Sequence, residues 1–123
     1  MKLISTEQAP AAIGPYSQAL DLGNLVYLSG QIPVNPSTGV IPESIEEQTK
    51  QSMENVSAIL QEAGLTLSHV IKTTIFLSDL ADFAAMNAVY ESFLTKPYPA
   101  RSCVQVAAIP KGAKVEIECI AVR

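Results

Sequence analysis

Apolar positions along the chain recur at two spacings, and the spacing changes wherever proline or glycine interrupts it. Leu20 and Leu22 lead into Gly23-Asn24 and Leu25-Val26-Tyr27-Leu28-Ser29 leads out, which predicts a hairpin over residues 17 to 29. Pro33, Pro36, Gly39 and Pro42 then break every period, so Gly30 to Pro42 reads as a loop. From Ser44 the period is helical: Ile45, Thr49, Met53, Val56, Leu60 and Ala63 recur at intervals of three and four. Ser44 and Glu47 stand at capping-box spacing, Gly64 supplies the stop, and Leu65 offers a hydrophobic contact across the end.

His69 to Leu77 is rich in β-branched and aromatic residues, with charge confined to Lys72, and reads as a strand. Asp79 then caps a second helix carrying Leu80, Phe83, Asn87, Tyr90 and Leu94 on one side, with Asn87 the polar member of the row. Pro97 and Pro99 mark a break before a strand at 101–107, Pro110 to Gly112 turns the chain, and 114–122 is the last strand. The order is β-β-α-β-α-β-β in one α+β domain spanning residues 1–123. Each helix has a single apolar face, which fits a sheet covered by helices on one side. Leu20, Leu22, Tyr27, Val104, Val106, Val115 and Ile117 supply more apolar strand positions than one covered face needs, and a partner subunit is the simplest cover for the rest.

Composition narrows the function classes. With 48% hydrophobic residues in 123, the chain can bury a real core. No run approaches the roughly 20 apolar residues that span a bilayer, and the opening MKLISTEQAP has no leader-like apolar stretch, so a soluble, cytoplasmic protein is expected. Eight basic residues against twelve acidic, net −4, argue against a nucleic-acid surface. Cys103 and Cys119 sit in apolar stretches, which suits a reducing compartment. Two cysteines and one histidine do not make a usual zinc site, and there is no phosphate loop, dinucleotide fingerprint or nucleophile elbow, so neither metal nor cofactor is expected.

Arg101 is one of two arginines and opens a strand, with Cys103 and Gln105 on its face and Ser102, Val104 and Val106 on the other. An arginine among apolar strand residues is a natural bidentate clamp for a carboxylate; the plainer alternative is a surface ion pair. Glu116 and Glu118 share one face of the last strand, and the tight Pro110-Lys111-Gly112 connection predicts that this strand pairs antiparallel with that of Arg101, which would bring a carboxylate near the guanidinium. A glutamate partly removed from water can move protons near neutrality. Parity alone leaves open which of the two it is. Cys103 lacks an evident histidine partner, since His69 begins a different strand, and reads as a buried or pocket-lining thiol. Tyr16, Ser29 and Gly30 lie in rigid turns able to offer hydroxyls and a close backbone approach.

Several long motifs occur in order: Ala11-Ala12-Ile13-Gly14-Pro15-Tyr16-Ser17-Gln18, Ser29-Gly30-Gln31-Ile32-Pro33, Asn55-Val56, Phe83 to Tyr90, Pro99-Ala100-Arg101-Ser102-Cys103-Val104 and Val115-Glu116-Ile117-Glu118. With these, the chain resembles the RidA/YjgF family of reactive-intermediate imine and enamine deaminases, essentially end to end. The resemblance implies a chorismate-mutase-like mixed sheet with two helices on one face. It also implies a homotrimer whose sheets form a central barrel, with clefts between subunits. It implies that Arg101 grips the carboxylate of a small imine or enamine substrate. Glu116 would position or activate water, with Tyr16, Ser29, Gly30, Asn87 and Cys103 lining the pocket and no cofactor needed. A trimer that only binds and senses small 2-keto acids would use the same arginine without requiring the glutamate. The connection Thr95-Lys96-Pro97-Tyr98 looks shorter than in many relatives and bears on substrate range.

Overall fold

The computed structural model describes residues 1–123. Its strands are β1 (Lys2–Ile4), β2 (Ala19–Asp21), β3 (Leu25–Gln31), β4 (Val70–Leu77), β5 (Ala100–Gln105) and β6 (Val115–Val122), and its helices α1 (Ile45–Glu62) and α2 (Phe83–Ser92). One six-stranded sheet has the order β1-β2-β3-β6-β4-β5. Only β4 and β5 are parallel; the other neighbours are antiparallel. The sheet is therefore mixed, and no helix is long and apolar enough to cross a membrane.

The two helices lie against one face of the sheet, where side chains alternate inward. Val26 and Leu28 of β3, Val115, Ile117, Cys119 and Ala121 of β6, and Val70, Thr73, Ile75 and Leu77 of β4 are all buried there. Against them α1 packs its predicted stripe, Ile45, Thr49, Met53, Val56 and Leu60, every member buried, with Ala63 just beyond the helix end. The apolar set noted in the sequence thus divides. Val115 and Ile117 are core, while Tyr27 and Val104 stand about half exposed on the opposite, uncovered face.

Both ends of α1 are closed by local chemistry. Ser44 Oγ accepts the Glu47 N–H at 3.1 Å. At the other end Gly64, with φ +77°, lets its own N–H reach Gln61 O at 2.9 Å and the Leu65 N–H reach Leu60 O at 2.8 Å, the paired bonds of a Schellman turn. Leu65 and Leu60 are both buried in the main core.

Four expectations are corrected. The pattern predicts no strand before residue 17, yet β1 pairs with β2; three residues are too few to show a period, and only Ile4 is buried. His69 does not begin β4 but ends a short 3₁₀ turn, Leu67–His69, because its Nδ1 accepts the Thr66 N–H at 3.1 Å. Asp79 caps another short 3₁₀ turn, Leu80–Asp82, through Ala81 N–H at 2.9 Å, so α2 starts only at Phe83. Finally, β5 and β6 do not pair: β4 lies between them, and the Pro110–Gly112 turn leads from the sheet's edge back to its interior.

The two α1 caps make separable contributions. Ser44→Ala should cost about 1 kcal/mol and Gly64→Ala, which forces a Cβ into the left-handed region, about 1–2 kcal/mol. Urea midpoints at fixed protein concentration should fall for each, with the slope of the transition unchanged.

Candidate active site

Arg101 sits at the N-terminal end of β5, an edge strand, in register with Thr73 of β4 and, across β4, with Cys119 of β6. Both of those residues are buried, so Arg101 is on the helix-covered face, at the margin where α2 rises above it. Its Nη1 donates to Asn87 Oδ1 at 2.6 Å. Its guanidinium carbon lies 5.4 Å from the Phe83 ring centroid and 5.2 Å from that of Tyr90, within cation–π range of both. Tyr90 is fixed in turn by a 2.8 Å hydrogen bond between its hydroxyl and Thr73 Oγ1, and burial pushes its phenol up. Arg101 has no acidic partner; the chain's one salt bridge joins Arg123 to Asp21. The remaining guanidinium donors border an open hollow of about 390 Å³ lined by Asn87, Tyr90, Glu91, Tyr98, Pro99 and Arg101.

The row Phe83, Asn87 and Tyr90 therefore does something other than the sequence pattern suggests. α2 meets the core through Met86 and Tyr90, whereas Phe83 is more than a third exposed. The row that reads as an apolar stripe is mainly the cradle of Arg101, and its polar member is the one bonded to the guanidinium. Cys103 lies two residues along β5 on the same face, in register with Ile75, and packs partly buried against the core. Burial pushes its thiol up and the Arg101 charge pulls it down, the former prevailing, so the thiol is protonated at neutral pH. His69 is in a different place, tied into its turn.

Glu116 is in register with Phe76, and Glu118 with Thr74, on the uncovered face. Strand alternation thus puts Arg101 and Glu116 on opposite faces, and the expected approach of a carboxylate to the guanidinium does not occur within one chain. Glu116 is half-buried, and both burial and the neighbouring charge of Glu118 raise its pKa. It borders a second hollow of about 600 Å³, whose lining includes Tyr16, Ser29, Gly30 and Lys111. A bulge in β3 between Leu28 and Gln31 swings Ser29 and Gly30 toward it. A Cβ on Gly30 would stand 2.8 Å from Glu116 Cδ, so only glycine lets the carboxylate lie over the backbone there. Ser29 Oγ donates to Ser17 O at 2.6 Å, and the Tyr16 hydroxyl accepts the Ile13 N–H at 3.3 Å.

The sequence-predicted residues thus form two groups: Arg101, Asn87 and Cys103 on one face, and Tyr16, Ser29, Gly30 and Glu116 about the other hollow. Sequence reasoning missed the aromatic walls Phe83 and Tyr90, the β3 bulge, and Glu91 and Tyr98 at the rim of the first hollow. It also missed three buried amides that hold the loops. Gln18 Nε2 donates to Thr6 O and Pro10 O, Asn55 Nδ2 to Ile32 O and Val34 O, and Gln48 Nε2 to Pro42 O. Buried amides on or next to a helix or strand are the available signal, because each needs partners once out of water. No group of three or more His, Cys, Asp or Glu side chains is placed to hold a metal ion.

Residues 6–123 match the family model described as Endoribonuclease L-PSP. The chain is 57% identical over 125 residues to the 2-iminobutanoate/2-iminopropanoate deaminase of Escherichia coli K12, covering 99% of this chain and 98% of that protein. It is 60% identical over 126 residues to a RutC family protein of Haemophilus influenzae, covering 99% and 97%. Among solved structures it resembles E. coli TdcF with bound serine, with TM-score 0.97 and 54% identity over 100% of this chain and 99% of that one. It also resembles the E. coli YjgF gene product, with TM-score 0.97, 56% identity and the same coverage of 100% and 99%.

The influence of Arg101 on its neighbour is open to direct titration. Arg101→Gln removes the charge that lowers the Cys103 thiol, so the pH midpoint of its alkylation should move upward. Cys119, buried and pushed up to about 12, should stay silent over the same range.

Proposed function

Because the chain belongs to the RidA/YjgF family, the group covered by the endoribonuclease L-PSP model, we propose that it hydrolyses small 2-imino acids, such as 2-iminobutanoate and 2-iminopropanoate, and their enamine tautomers to 2-keto acids and ammonia. The observation that carries this reading is an arginine oriented by Asn87 and two ring faces, with no acid of its own to satisfy. Such a group is prepared for a carboxylate supplied by a ligand.

In this mechanism Arg101 grips the substrate carboxylate and limits motion at C2, the electrophilic carbon of the C=N bond. Glu116, ionised, takes a proton from water as the oxygen attacks C2 and passes it to the nitrogen, giving a neutral carbinolamine. The same carboxylate then takes the carbinolamine's hydroxyl proton and delivers it to the nitrogen, so the C=O bond forms as the C–N bond breaks and ammonia leaves. A raised Glu116 pKa makes it a stronger base for the first step and a usable acid for the second. Gly30 provides room for the carboxylate, Tyr16, Ser29 and Asn87 shape the pocket, and Cys103 backs it as a neutral thiol. His69, in the turn before β4, takes no part.

The assembly proposed is a homotrimer with intersubunit sites and the uncovered sheet faces turned inward as a barrel. Two facts support it. Arg101 and Glu116 occupy opposite faces of one chain, so a second copy is needed to bring the two kinds of group together. The uncovered face also carries Tyr27, Val104 and Val122, all more than a third exposed. A contact joining one face of a copy to a different face of the next is heterologous, and it makes a ring where its rotation closes, which a trimer does in three steps.

Two experiments test the reading. Purified protein should speed keto-acid formation from an imine generated in situ; Arg101→Ala should lower kcat/KM about a hundredfold and Glu116→Gln should lower kcat about a hundredfold or more. Mixed and reassembled, the two inactive variants should regain up to about a quarter of wild-type activity, the share of sites pairing an intact arginine with a neighbour's intact glutamate in a ring. No acceleration by wild-type protein that still binds keto acids would instead mark a sensing trimer. Mixing without recovery would place the site within one chain. The acid limb supplies the second test. Activity should fall as pH drops through the raised Glu116 pKa, and Glu118→Gln, which removes one cause of that rise, should move the limb to lower pH.

A further inference from the structure

The hollow beside Arg101 contains a second charged group that the mechanism does not use. Glu91 lies one residue beyond Tyr90 and four beyond Asn87, so on α2 it stands one turn along from the amide that holds the guanidinium. It lines the same hollow as Arg101, and the Tyr98 hydroxyl donates to its Oε1 at 3.2 Å. Tyr98 comes from the short connection before β5, which the deaminase reading leaves without a role. No basic side chain pairs with Glu91, and its charge faces the space beside the carboxylate grip.

A 2-imino acid held at Arg101 by its carboxylate extends its side chain from C2 into whatever space remains in the hollow. A small apolar side chain meets the Tyr90, Tyr98 and Pro99 surfaces there. A side chain ending in a second carboxylate would place a like charge near Glu91, within the range over which two such charges repel. A side chain ending in a cation would be attracted.

We propose that Glu91, oriented by Tyr98, is a specificity-determining residue that excludes imino acids bearing a side-chain carboxylate and leaves Arg101 to monocarboxylates. The inference rests on the reading of Arg101 as the carboxylate grip. Tyr98 acts through Glu91 as a positioning residue, its hydroxyl donating to the carboxylate at the rim of the hollow.

Calorimetric binding of 2-oxobutanoate and 2-oxoglutarate tests this without requiring turnover. Wild-type protein should prefer the monocarboxylate, and Glu91→Gln should narrow the affinity ratio about threefold to tenfold. Glu91→Asp, which keeps the charge, should retain most of the preference. Tyr98→Phe should narrow it by a smaller factor and make it more sensitive to salt, since a carboxylate released from its partner is better screened. An affinity ratio unchanged in Glu91→Gln overturns the inference while leaving the Arg101 reading intact. Binding of both keto acids that survives Arg101→Ala with the same ratio overturns the two together.

Discussion

The two-residue period of a β-strand, applied across three adjacent strands, governs what this molecule can do alone. β4 sits between β5 and β6, and the pairing through it fixes the faces: Arg101 with Thr73 and Cys119, Glu116 with Phe76. No rotamer change carries a side chain through a hydrogen-bonded sheet. Arg101 and Glu116 are therefore built on the same scaffold but aimed away from each other. Moving either by one residue would reunite them on one face and send a core residue into water. The covered core and the separation of Arg101 from Glu116 are consequences of a single register.

A second constraint is the satisfaction of buried amides. The loops around Glu116 have little regular structure, yet they are anchored by side chains that belong to the scaffold. Gln18 holds the segment from Thr6 to Pro10, Asn55 holds Ile32 and Val34 from α1, and Gln48 binds Pro42 while accepting the Lys114 N–H at 2.8 Å. Each amide would be costly to leave unpaired, so each loop is held by the same penalty that keeps the core dry. α1 thus serves both faces of the problem: its apolar side fills the core, and its Asn55 amide holds two residues, Ile32 and Val34, that line the hollow.

Much of this was legible in the sequence because it is local. The period of Ile45 to Leu60, the Ser44 cap and the Gly64 stop are written within a single stretch, Ser44 to Gly64, and appear in the structure where they were expected. The alternation of β5 correctly put Arg101, Cys103 and Gln105 on one face. What local pattern cannot carry is strand order. A tight turn between β5 and β6 invited an antiparallel pair, and only the whole topology shows β4 inserted between them. The Phe83-Asn87-Tyr90 row was visible but ambiguous, since an apolar stripe and an aromatic cradle have the same spacing. β1 and the β3 bulge involve too few residues to leave a periodic trace.

Phe83, Asn87 and Tyr90 share one side of a short helix, and that shared origin has a mechanical consequence. If α2 shifts against the sheet, the two rings and the amide travel as one body, so the angles around the guanidinium persist while its height above β5 changes. The cradle is then a calliper whose jaws are set by the helix and whose span is set by how deeply Met86 and Tyr90 are seated in the core. Core packing at Met86 beneath α2 becomes a dial on the opening around Arg101, adjustable without altering any residue of the cradle.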